Sequence, residues 1–193
     1  MYRFYHFARR VITFFMKVCY RVEYIGLDNI PKDGAFILAG NHKSNLDCFL
    51  LISSTKRVVR FLAKIELMKK FSWIMKKMAI IPVDRSKKNK EAMKEALTTL
   101  KDGGVIGIFP EGTFNKTEYV IMPFKYGCVK MSSVTNAKIV PFAIINDYKL
   151  FRKSVKIIFG KPYYVEDKSD LKKENIILMN KVIRLLRSDA SEK

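Results

Sequence analysis

The sequence is short of histidine, of cysteine and of acidic side chains, and each shortage excludes something. Two histidines among 193 residues give a histidine-built metal cluster no material. The 3 cysteines, Cys19, Cys48 and Cys128, lie far apart with no Cys-x-x-Cys. That argues against both a disulfide scaffold and a zinc site, fits a reducing compartment, and suggests small buried apolar side chains. Gly-x-x-x-x-Gly-Lys, Gly-x-Gly-x-x-Gly and Gly-x-Ser-x-Gly are all absent, so there is neither a nucleotide cradle nor a hydrolase nucleophile elbow. No apolar run approaches the roughly 18–20 residues that a membrane-spanning helix needs, and the mean hydropathy is -0.04.

Acids number 18 against 37 Lys and Arg, a formal charge of +19 with a pI near 9.9. Such an excess selects anionic partners without selecting a fold: nucleic acid, an anionic membrane, acidic small molecules or carrier proteins. Hydrophobic residues make up 49%, which excludes disorder, and the length suits one domain with a real core.

Residues 1–21 carry Arg3, Arg9, Arg10, Lys17 and Arg21 and no acid. Phe4, Phe7, Ala8, Val11, Phe14, Phe15 and Val18 recur at steps of three and four, opposite a stripe of Arg3, His6, Arg10, Thr13, Lys17 and Arg21. The pattern predicts an amphipathic helix, either docked on its own domain or lying in a lipid interface. Lys17 within the apolar part fits a signal peptide poorly.

Strand and helix patterns alternate from there on. Strands are expected at Arg21–Ile25, Ala35–Ala39, Val58–Ala63, Ala79–Val83, Val105–Phe109, Lys138–Ile145 and Val155–Phe159. Helices are expected at about Leu46–Ser53, Ile65–Lys77, Asn89–Leu100, Tyr126–Ser133 and Leu171–Arg187. The expectation is an α/β fold: residues 22–193 as a single domain with a largely parallel sheet flanked by helices, preceded by the amphipathic helix of residues 1–21. Lys56–Lys101 holds 14 basic residues against 4 acids. Within it Ile65, Met68, Phe71 and Met75 form one helical stripe, and Lys69, Lys70, Lys76 and Lys77 surround Trp73. That arrangement suits either lipid headgroups or a solvated basic face.

Four short blocks could carry chemistry. Gly40-Asn41-His42-Lys43-Ser44-Asn45-Leu46-Asp47 follows an apolar strand, where open α/β sheets place ligands. With His42 in the loop and Asp47 in the first helical turn, the two form a base and its orienter; Ser44-x-x-Asp47 also fits a capping box. Ile81-Pro82-Val83-Asp84-Arg85 ends a strand in a phosphate-compatible donor. Phe109-Pro110-Glu111-Gly112-Thr113 fixes a carboxylate at a strand end, placed to meet a polyol or simply to turn the chain. Ile139-Val140-Pro141-Phe142-Ala143 is an apolar strand, mostly core.

In this order the blocks resemble the glycerolipid acyltransferase family, specifically the bacterial 1-acylglycerol-3-phosphate acyltransferases. Asn-His-x-x-x-x-Asp is matched by Asn41, His42 and Asp47, and Asp-Arg by Asp84 and Arg85. Phe-Pro-Glu-Gly-Thr is matched from Phe109 to Thr113, and Val-Pro by Val140 and Pro141. Pro123-Phe124-Lys125-x-Gly127 is similar to the stretch between the last two. The likeness runs from about Arg21 to Val165. It departs from the family at Phe114, where an Arg thought to hold the acceptor phosphate is usual; Arg85, Lys116 and Lys125 could supply that charge.

The resemblance implies transfer of a fatty acyl group from acyl-CoA or acyl-carrier protein to a lysophospholipid, foremost 1-acylglycerol-3-phosphate. It implies His42 and Asp47 as catalytic residues, and Arg85, Glu111, Gly112, Thr113 and Lys125 as substrate-binding ones. It implies no metal or other cofactor, an anionic membrane surface as a further partner, and peripheral or monotopic attachment at the cytoplasmic face of the cell membrane. An acyltransferase for a different lysolipid headgroup is one alternative. A basic nucleic-acid-binding module is the rival from another class, favoured by charge. No nucleic-acid motif is present, and the aromatics gather on the first helix, so no nucleic-acid partner is expected.

Overall fold

Apolar runs rich in Ile, Val and Phe, separated by amphipathic stretches, assemble into one twisted sheet with helices on both faces. The computed structural model of the chain describes residues 2–84, 90–145 and 147–188, without the side chains of 67–71. All seven expected strands form: β1 (Glu23–Ile25), β2 (Phe36–Gly40), β3 (Val59–Lys64), β4 (Ile81–Val83), β5 (Val105–Ile108), β6 (Lys138–Ile145) and β7 (Lys156–Phe159). Their order is β1-β7-β6-β2-β5-β3-β4. Every neighbouring pair is parallel except β6 with β7. The largely parallel α/β sheet expected from the sequence is therefore present.

Strand alternation divides the core. Phe36 and Leu38 of β2, with Val140, Phe142 and Ile144 of β6, face a cluster that includes Leu50 and Leu51 of α2 (Asp47–Ser54). Ile37 and Ala39 of β2, with Ile139 of β6, face the other cluster. That cluster is closed by α4 (Lys90–Lys101), α5 (Gly127–Thr135) and α6 (Leu171–Ser188). β2 is buried along its whole length on both faces, as a central parallel strand must be. Pro141 is tolerated in β6 because its nitrogen faces the β7 side. There Gly160 N–H donates to the Pro141 carbonyl and regular pairing resumes only at Phe142.

The first helix, α1 (Arg3–Cys19), has two apolar faces. Tyr5 and Met16 are fully buried, Phe4, Ala8 and Ile12 pack behind them, and the Tyr5 hydroxyl accepts the Val59 N–H at 2.9 Å. Phe7 (64% exposed) and Phe14 (70%) point outward with Val11 and Val18. Beside them lies α3 (Ile65–Lys77), whose Trp73 (59% exposed) meets Phe4 edge-on at 5.4 Å, with the Lys77 ammonium 4.1 Å above the indole. Among the described residues no helix is long and apolar enough to cross a membrane.

Candidate active site

Because β2, β3, β4, β5 and β6 run in one direction, their carboxyl ends share an edge, the ligand-binding edge of such sheets. The chain leaves β2 at Gly40. A Cβ there would collide with the Phe142 carbonyl, so only glycine lets β2 and β6 lie this close. Asn41, buried, then clamps both backbone groups of Ile144: its Nδ2 donates to the carbonyl at 2.9 Å and its Oδ1 accepts the N–H at 2.7 Å. This side chain prolongs the β2–β6 ladder by one rung and fixes where the next residue emerges.

That residue is His42. Its Nδ1 lies 2.8 Å from Oδ2 of Asp47 at the start of α2. The Asp47 side chain is 0% exposed and the imidazole 16%. The same Oδ2 accepts the Lys43 N–H at 2.6 Å and the Ser44 N–H at 2.9 Å. Oδ1 accepts the Tyr148 hydroxyl at 2.6 Å. Asp47 therefore fills both roles left open by the sequence. It reaches back to the backbone ahead of its helix, like half a capping box, and it holds the imidazole. A carboxylate with this many donors is an acceptor only, so Nδ1 carries the proton and Nε2 the lone pair.

The loop after β5 wraps the same residue. Glu111, buried, accepts the His42 N–H on Oε1 at 2.9 Å and the Met122 N–H on Oε2 at 2.8 Å. Burial pushes its carboxyl above the usual range, and the two backbone donors oppose that rise. The Asn115 N–H donates to the His42 carbonyl at 3.1 Å. Phe109 stacks on the imidazole, with centroids 3.8 Å apart and planes 11° apart, and Phe114 leans on it at 4.5 Å and 60°. His42 is thus bracketed by backbone and rings of the third block. Gly112 has φ +73, and a Cβ there would lie 2.7 Å from the Lys125 ammonium. The glycine makes the turn and leaves room for that cation above it.

Of the residues singled out from the sequence, His42, Asp47 and Glu111 are joined by direct hydrogen bonds. Gly112 and exposed Thr113 lie on the adjoining turn, and the Lys125 ammonium reaches over Gly112 from the segment before α5. Glu111 turns both oxygens to backbone amides, one on the His42 loop and one, Met122, on its own loop. Asp84 follows β4 at the same edge; Arg85 lies outside the described residues. Tyr148 lies outside every block, and the Asn41 clamp and the packing of Phe109 and Phe114 on the imidazole are contacts that motif spacing did not show. The one available signal for Tyr148 is its place just past the end of β6, beside β2. Cys48 is no rival nucleophile, because burial, with Asp47 beside it, pushes its thiol up to about 12. Among the described residues no group of three His, Cys, Asp or Glu could hold a metal ion.

What this arrangement can do is take a proton at Nε2 and stabilise the imidazolium formed, beside a rim that carries a lysine. Comparisons with known proteins converge on one chemistry. The family model described as Acyltransferase matches residues 21–145. The chain is 30% identical over 188 residues to the 1-acyl-sn-glycerol-3-phosphate acyltransferase of Bacillus subtilis (strain 168), covering 93% of this chain and 92% of that one. It is 29% identical over 177 residues to the protein of the same name from Borreliella burgdorferi, covering 84% and 70%. The crystal structure of the 1-acyl-sn-glycerophosphate (LPA) acyltransferase from Thermotoga maritima superimposes with a TM-score of 0.75 at 25% identity, covering 93% and 78%.

Proposed function

The chain belongs to the acyltransferase family, and from that premise we propose that it acylates 1-acyl-sn-glycerol-3-phosphate to phosphatidic acid in phospholipid biosynthesis. The observation that carries this reading is the imidazole held through Nδ1 by a fully buried carboxylate, at the edge of the sheet where a substrate can reach it. The acceptor hydroxyl attacks the thioester carbonyl as His42 Nε2 takes its proton. Asp47 stabilises the imidazolium; the tetrahedral intermediate then collapses, the C–S bond breaks, and the leaving sulfur takes the proton from Nε2. Acyl-CoA and acyl-carrier protein both supply such a thioester, so either serves as donor. The inert Cys48 and the absence of a nucleophile elbow favour direct transfer without an acyl-enzyme.

Lys125, above the Gly112 turn, attracts the acceptor's phosphate together with Arg85, and Thr113 and Gly112 border the glycerol. Glu111 serves the same substrate by holding the loop that presents His42. At position 114 a phenyl ring stands against the base, where the family usually has a guanidinium. Phosphate recognition therefore falls to Arg85 and Lys125.

The outward face of α1, Trp73 and the Lys77 beside it form the surface that meets anionic lipid. Exposed Leu150 and Phe151 adjoin it, Phe151 N–H being bonded to the Cys19 carbonyl at the end of α1. Residues 1–21 thus act as an interface helix on the acyltransferase body. Attachment is peripheral or monotopic, at the cytoplasmic face, where unpaired cysteines persist.

The test is a panel of acceptors. Wild type is assayed with lysophosphatidic acid and lysophosphatidylcholine, each with acyl-CoA and with acyl-carrier protein. Preference for lysophosphatidic acid is expected. Preference for the larger headgroup, or no transfer with either donor, overturns the assignment.

A further inference from the structure

Asp47 has one oxygen, Oδ1, whose partner none of the sequence blocks supplies: the Tyr148 hydroxyl at 2.6 Å. Given His42 as the base proposed above, we infer that Tyr148 is a positioning residue, whose hydroxyl locks the Asp47 carboxylate so that His42 keeps its proton on Nδ1 and its lone pair on Nε2.

Four observations support this. The carboxylate is fully buried, so water cannot replace a missing donor at Oδ1. Tyr148 is itself anchored. The Asn41 clamp fixes Ile144 four residues earlier, the neighbouring Asp147 pairs with Lys43 at 3.4 Å, and its ring meets the edge of Tyr20 at 5.5 Å. Burial and the adjacent Asp47 charge push the phenol far above its ordinary range, so it remains a donor wherever the enzyme works. Finally, the bond comes from a segment 101 residues away in sequence, which ties the end of β6 to the start of α2 across the histidine loop.

The consequence is geometric. Oδ2 alone orients His42, and a carboxylate held at both oxygens cannot turn about its Cβ–Cγ bond. Without the hydroxyl only the contacts at Oδ2, from Nδ1 and from the Lys43 and Ser44 N–H groups, hold the carboxylate, so it can tilt about that oxygen and weaken its bond to Nδ1. The ring proton is then released to Nε2, the nitrogen that must accept from the substrate. The titratable groups around this unit are Tyr20 after α1, Tyr24 on β1, Cys48 on α2, Glu111 after β5 and the Lys43–Asp147 pair. Of these, Lys43 and Asp147 pair with each other at 3.4 Å, and Glu111 bonds the His42 N–H.

The experiment uses full-length protein labelled with 15N at histidine. Only two imidazoles exist, so His6→Gln assigns the pair. Wild type is expected to show His42 as the Nδ1–H tautomer. Tyr148→Phe, which keeps the ring against Tyr20, is expected to show a mixture weighted to Nε2–H, with kcat lowered about tenfold and KM for both substrates unchanged, as loss of a positioning contact requires. An Nε2–H tautomer in wild type, or a retained Nδ1–H tautomer in folded Tyr148→Phe, overturns the inference. The tautomer is read without substrate. A chain that transfers no acyl group would sink the proposed function and leave this result standing, and the reverse holds as well.

Discussion

Replacing Asp47 separates its two jobs. In Asp47→Ala, four donors lose their acceptor: His42 Nδ1, the N–H groups of Lys43 and Ser44, and the Tyr148 hydroxyl. A buried unsatisfied donor costs about 1–3 kcal/mol. Four together cost at most roughly 4–12 kcal/mol, because Lys43 is exposed and His42 and Ser44 are half-buried, against a whole domain's stability of about 5–15 kcal/mol. Asp47→Ala should therefore be strongly destabilised. In Asp47→Asn the amide oxygen can still accept at the Oδ2 position, while its NH2 turns to the Tyr148 hydroxyl, which accepts as readily as it donates. The fold survives and the charge is lost. An imidazolium and a carboxylate about 4 Å apart attract by about 4 kcal/mol at an effective dielectric of about 20, which is about 10³ in rate. The assay is phosphatidic acid formation from lysophosphatidic acid and a labelled acyl thioester, with urea midpoints for all three proteins. Asp47→Asn within about tenfold of wild type, or Asp47→Ala as stable as Asp47→Asn, would refute this reasoning.

Glu111→Gln should lose about 1–3 kcal/mol, because an amide offers one acceptor where two backbone N–H groups need two; an unchanged urea midpoint contradicts this. Arg85→Ala should raise KM for lysophosphatidic acid about ten- to a hundredfold, the worth of a charge-assisted phosphate contact, and unaltered kinetics would remove Arg85 from the phosphate site. Phe7→Ser combined with Phe14→Ser should abolish co-sedimentation with anionic vesicles at moderate salt, while wild-type binding weakens as salt rises. Equal binding by both proteins would leave α1 as a structural cap.

The strands and helices were legible because apolar periodicity is a local signal. Where ends differ, the backbone explains it. The segment expected to open at Ala79 starts at Ile81 because Ala79, φ +58, closes α3 in a left-handed turn, a place where glycine is the usual signal. Arg21, φ +44, likewise delays β1. The aromatic face of α1 was plain, but much of it, around Phe7 and Phe14, stays exposed while Tyr5 and Met16, outside that face, are the fully buried residues; which side docks depends on where β3 and α2 lie. The site divides in the same way. His42 and Asp47, five residues apart, could be paired from spacing and resemblance. The Glu111 bond to the His42 backbone spans 69 residues and the Tyr148 bond spans 101; both exist only once β5 and β6 flank β2.

The most direct test of the account is acyl transfer by folded His42→Ala, assayed on anionic vesicles with lysophosphatidic acid and acyl-CoA beside wild type. His42 is the one imidazole at this edge, His6 lying on α1, so turnover should fall by about 10²–10⁴ with the urea midpoint little changed. Near-normal turnover by the folded variant would contradict the central claim.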